Sequence, residues 1–116
     1  MDEIVRKLAG VGLPAVVLLI TMAVTGLTGA AAITAALAML GPGGMIGGIV
    51  LLGIIGLASD ALAKYGLESV LVEVYKKRLE NGELYSTLRK EIDWLPISKE
   101  LKLVLKDSIR FDSNSL

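Results

Sequence analysis

The side chains that could perform acid–base or metal chemistry are few in this sequence. Histidine and cysteine are both absent, which removes the commonest general base, the commonest metal ligand and any thiolate or disulfide arrangement. The carboxylates closest to an acid–base pair are Glu91 and Asp93. Arg89 and Lys90 adjoin them in an amphipathic stretch, the pattern of a solvated charged face. Gly41-Pro42-Gly43-Gly44 lacks the following Lys-Ser/Thr of a phosphate-cradling loop. Thr21, Thr25 and Thr28 recur at i, i+4 and i+7, a spacing that would line a pore with hydroxyls. Threonine in a helix also bonds its own backbone one turn back. No ionisable residue accompanies these hydroxyls, as transport or proton relay would require. The sequence therefore predicts no catalytic residue, no cofactor and no metal site.

The elements behind these residues are set by where charge is missing. Residues 8–59 form an uncharged run, whereas ten acidic and ten basic residues follow from Asp60 onward. The net charge of zero offers no basic face for nucleic acid, and aromatics at 4% are too few for base stacking. The apolar run far exceeds the 7–15 residues of a signal-peptide core and contains a second segment, so it predicts retained structure.

The first apolar segment covers residues 12–40, with Pro14 acceptable in a first helical turn. About 20 apolar residues cross a ~30 Å hydrocarbon core, so residues 15–40 suffice as one long helix, with a kink at Thr25-Gly26-Leu27-Thr28-Gly29. Gly41, Pro42, Gly43 and Gly44 make the turn. The second segment, residues 45–63, fits one crossing, with Asp60 near its far end within i, i+4 reach of Lys64. Neither segment has a polar face, so each must be buried in protein or in lipid. Arg6 and Lys7 precede the first segment, and Lys64, Lys76, Lys77 and Arg78 follow the second. The positive-inside tendency then puts both termini on the cytoplasmic side of a two-span membrane hairpin.

Small residues give these helices smooth faces, which matter where apolar contact alone drives little association. Gly43 with Gly47, Gly44 with Gly48, and Gly26 with Ala30 have small-xxx-small spacing, and Gly53 and Gly56 extend the second face. They serve packing within the hairpin, self-association between copies, or both.

From Tyr65 the pattern becomes amphipathic, with Leu67, Val70, Leu71 and Val74 at helical spacing. This helix continues the second apolar helix, with Gly66 as a bend, and ends at Asn81-Gly82. A helix over 83–94 carries Leu84, Leu88 and Ile92 and is stopped by Pro96. Ser98 caps a helix over 99–111 that carries Leu101, Leu105 and Ile109. Residues 112–116 should fray. The predicted fold is all-α: a transmembrane hairpin over 1–64 and a cytoplasmic bundle of amphipathic helices over 65–116. The stripe of Leu84, Leu88, Ile92, Leu101, Leu105 and Ile109 is either bundle core or a surface that recruits a protein partner.

Two apolar helices, both ends on one side, a glycine-rich turn and a charged C-terminal region form a layout that resembles two-helix phage holins and small bacterial membrane effectors. The likeness is architectural and covers residues 1–80 or so. It implies a self-associating integral membrane protein that perturbs or permeabilises the bilayer, as a holin, a toxin or a defence effector does. Two other functions fit the same residues: a membrane anchor or scaffold, and a soluble helical oligomer that hides the hairpin until triggered.

Overall fold

An acidic first turn and apolar residues at Ile4, Val5, Leu8 and Val11 make a short helix, α1 (Asp2–Val11), at the start of the chain. The computed structural model describes the backbone of residues 1–26, 38 and 44–115, and the side chains of these except 44–52 and 112–115. Thr28, Ala30, Thr34, Gly41, Pro42 and Gly43 lie outside the described residues. After α1 come α2 (Leu13–Thr25), α3 (Gly44–Tyr65), α4 (Leu67–Glu80), α5 (Tyr85–Trp94) and α6 (Lys99–Ser115). Among the described residues there is no strand.

Several boundaries differ from the sequence expectation. The first apolar segment does not run as one helix to Leu40, because α2 stops at Thr25 where Gly26 takes a left-handed φ of 72°. The Gly26 N–H donates to the Met22 carbonyl, closing the helix end in the usual glycine manner. Gly44, expected in the turn, is the first residue of α3. Gly66 breaks the chain between α3 and α4 instead of bending one helix. The helix expected from Glu83 begins at Tyr85, since Leu84 is extended at its N-terminus. The last helix passes Phe111 and runs to Ser115, with no glycine or proline to stop it.

Packing is organised around α2 and α4. Residues 15–22 of α2 are buried on every side, at 0–7% exposure, and emerge only from Ala23 onward. Around this helix lie α1, α3 and α4. α3 turns Ile54, Ala58 and Ala61 inward at i, i+4 and i+7. α4 touches all five of the other described helices, whereas among these α5 and α6 touch only α4 and each other. The bundle end closes on Leu71, Leu88, Ile92, Leu105 and Ile109, all at 0% exposure. The radius of gyration, 13.1 Å, is that of a folded globule of this length.

Each fully buried aliphatic side chain contributes about 1.5–3 kcal/mol relative to exposure, so α2 carries a large share of the apolar stabilisation. Leu18→Ala should lower the unfolding free energy by about 2–5 kcal/mol in a denaturant titration, by lost transfer energy and a residual cavity. Leu84→Ala, at a site 68% exposed, should change it by less than about 0.5 kcal/mol.

Candidate functional site

The candidate site is the covered apolar helix α2 together with the helices that cover it. Its composition, LPAVVLLITMAVT, offers two hydroxyls, and both turn back to the helix. Thr21 Oγ1 donates to the Val17 carbonyl at 2.8 Å, and Thr25 Oγ1 donates to the Thr21 carbonyl at 2.5 Å. These threonines thus satisfy backbone acceptors within α2, the arrangement that lets a hydroxyl sit in an apolar setting. Pro14 lies in the first turn of α2, where its missing N–H costs nothing. Among the described residues no single helix has the length and hydropathy to cross a membrane. α1 and α2 reach that measure only jointly, and they are bent by 114° at Gly12.

The small residues of α3 divide between two faces. Ala58 and Ala61 face inward. Gly53 and Gly56 are exposed, and a Cβ placed at either would meet no atom within 4 Å. They therefore form an open outer face with Ser59 and Ala63, while Gly47 and Gly48 lie earlier in the same helix. Asp60 pairs with Lys64 at 3.3 Å on the exposed side of α3, at the expected i, i+4 spacing.

The second polar feature lies at the end of α4 and was not foreseen. Arg78 adjoins the cations Lys76 and Lys77 in sequence, yet its side chain is only 4% exposed. Its guanidinium forks onto Glu83, with Nε at 2.7 Å and Nη2 at 2.8 Å. It also donates to both Glu91 oxygens, through Nη1 and, at 3.0 Å, through Nη2. The Tyr75 hydroxyl donates to Glu91 at 2.5 Å, and the Arg78 guanidinium sits 5.2 Å from the Tyr75 ring centroid. Among the described residues no buried side-chain nitrogen or oxygen lacks a partner. Arg78 falls seven residues after Leu71 and four after Val74, so a charge on an apolar stripe was the signal for a buried ion pair.

Glu91 and Asp93 consequently part ways. Glu91, with its side chain 12% exposed, belongs to the Arg78 cluster, so its reading as part of a solvated face is overturned. Two residues on, Asp93 points outward and pairs with Lys106. The hydrogen bond from Lys106 leads the causes that hold its carboxyl below the ordinary range. Lys102 Nζ donates to the Asp93 backbone carbonyl at 2.8 Å, so two α6 lysines tie down the end of α5. The Arg78 cluster clasps α4, the following turn and α5. Its hydrogen bonds run between its own members, so it acts as a structural pin. Of the stripe offered as a partner surface, Leu88, Ile92, Leu105 and Ile109 are fully buried, Leu101 is half-buried, and Leu84 is exposed. Among the described residues no group of three acidic side chains could hold a metal. An open groove of about 580 Å³ between α1 and α4 has Asp2, Glu3, Arg6, Glu73, Lys76 and Lys77 among its lining.

Burial, followed by the Glu91 carboxylate, raises the Tyr75 hydroxyl well above its ordinary ionisation range. Burial acts to lower the pKa of the Arg78 guanidinium, but its hydrogen bonds to the Glu83 and Glu91 carboxylates, with their charges, outweigh this and keep it charged. A folded pKa raised above the unfolded value gives Tyr75 a stabilising contribution that is complete below about pH 10 and lost as pH rises beyond it. In near-ultraviolet absorbance titration, Tyr75 should ionise only with unfolding. Arg78→Met should cost about 3–5 kcal/mol by leaving Glu91 charged and largely out of water. The triple change Tyr75→Phe, Arg78→Met, Glu91→Met should recover most of it in the same denaturant assay.

Comparison with protein-family models, with curated proteins and with solved structures returned no match to this chain.

Proposed function

We propose that the chain is a self-associating membrane protein that perturbs or permeabilises the bilayer, and that the arrangement described here is its covered form. The observation that carries this reading is the burial of residues 15–22 on all sides by helices that are themselves amphipathic or apolar. A helix with no polar face needs either protein or lipid around it. Lipid can take over from protein because it satisfies the same side chains, while the intrahelical bonds of Thr21 and Thr25 leave no hydroxyl stranded. In the membrane-bound form the hairpin crosses twice, with both termini on the cytoplasmic side, and the open Gly53 and Gly56 face meets a second copy. The protein acts on lipid without catalysis, cofactor or nucleic acid.

A membrane anchor that recruits a protein partner is the second reading. It is favoured by Leu103 and Phe111, which stand on the outer face of α6 at 61% and 69% exposure. The two readings differ in what the protein does to the membrane.

Expression from a tight promoter, with growth and membrane potential followed together, separates them. Growth arrest with depolarisation is the expected result, and Gly44→Leu or Gly48→Leu should relieve it by blocking close helix approach. Harmless accumulation in the membrane fraction would favour the anchor. Full recovery in the detergent-free soluble fraction, with no effect on potential, would rule out both.

A further inference from the structure

Of the four described glycines with positive φ, Gly12 and Gly66 are single-residue joints between two helices. Gly12, between α1 and α2, has φ 85° and ψ −139°, and Gly66, between α3 and α4, has φ 82° and ψ 161°. A Cβ at either position would meet nothing within 4 Å, so space is not the reason for glycine. The positive φ with an extended ψ is the reason, since side-chain-bearing residues are strained there. Both joints lie where an apolar helix meets an amphipathic one. The helices they connect are also paired in space: α1 packs on α4, and α2 packs on α3.

Four of the described helices thus form an apolar pair and an amphipathic pair joined at two single residues. Rotation at those residues moves α2 with α3 relative to α1 with α4 while the hydrogen bonds inside each helix stay intact. The contacts given up are those that cover α2, namely α2 with α1 and α4 and α3 with α1 and α4. Straightening also creates length: α1 and α2 have the length and hydropathy of a span only together, and they are now bent by 114°. Pro14 tempers this at the first joint, because a helix continued through Gly12 would find no N–H at Pro14 for the Gly10 carbonyl. No such residue follows Gly66.

We propose that Gly12 and Gly66 form a two-point hinge about which α2 and α3 swing out from α1 and α4 as lipid replaces their protein cover. This rests on the membrane-perturbing reading above and supplies its conformational step. An L-residue at either joint disfavours the bent form and so shifts the population toward the extended one.

The absence of cysteine makes the test direct. Spin labels at Glu3→Cys and Val24→Cys, both exposed sites, report the α1–α2 bend by electron–electron double resonance. The helix rise and the 114° bend place the labelled backbone positions roughly 18 Å apart when bent and roughly 32 Å apart when straight. Gly12→Ala should raise the long-distance population about tenfold without lipid. Gly12→Ala and Gly66→Ala should each speed dye release from phosphatidylethanolamine–phosphatidylglycerol vesicles. Gly10→Ala, within α1 and facing open space, should change neither. A label distance that stays short in Gly12→Ala, in buffer and on vesicles alike, while dye release persists would overturn the hinge and leave the membrane reading standing. A lengthened distance with no release by any variant would support the hinge and sink the membrane reading. Should Gly12→Ala lose its helical circular dichroism, the unsubstituted labelled chain decides: vesicles must lengthen its distance, and failure to do so while dye is released overturns the proposal.

Discussion

Among residues 15–22 only Thr21 carries a polar group, turned back onto the Val17 carbonyl, and their apolar atoms point in every direction around the helix axis. A single neighbouring helix covers only part of such a cylinder, so at least three neighbours must converge on it. That requirement explains why the N-terminal ten residues fold back against the chain instead of trailing into solvent. It explains as well why α3 turns Ala58 and Ala61 inward, since small residues let its backbone approach α2 closely. The packing of α1, α3 and α4 around α2 follows from enclosing one helix.

α4 connects this apolar unit to the rest and faces two different environments. Toward α1, α2 and α3 it offers aliphatic packing, and near its C-terminus it offers Arg78. A buried ion pair contributes little net stability over an apolar replacement. It does discriminate strongly between registers, because a one-residue slip would strand the charge of Arg78 or Glu91. The Arg78–Glu83–Glu91–Tyr75 cluster therefore fixes how α5 sits on α4 more than how firmly. The Asp93 contacts with Lys102 and Lys106 fix α6 on α5 in the same manner.

The sequence made the C-terminal helices legible because their apolar residues recur every three to four positions between clear stops at Asn81-Gly82 and Pro96. Other features were hidden for physical reasons. α1 is short and four of its ten residues are charged, so its Val5 and Leu8 stripe was masked by the flanking charges and by the apolar run that follows. Gly26 and Gly66 were visible as weak points. Whether a glycine bends a helix or ends it depends on the sign of φ, which tertiary packing selects. Glu91 and Asp93 looked like one solvated pair, although residues two apart on a helix point roughly 200° apart. Arg78 was read by its charge, while its position on the α4 stripe held the information. The small-residue faces were legible as faces, but which neighbour each one meets is a property of the assembled chain.

The central place of α4 also sets a timetable for synthesis. α2 is complete at residue 25, but α4, one of the helices that cover it, is complete only at residue 80. At ribosomal rates of about 5–20 residues per second, that gap of 55 residues lasts roughly 3–11 s. Collapse of a small chain takes on the order of microseconds. Whatever engages nascent apolar segments, a targeting factor, a chaperone or the bilayer itself, thus has seconds of access to α2 before α4 can cover it. The order of the helices along the chain, and not the speed of collapse, sets how long α2 waits for α4 during synthesis.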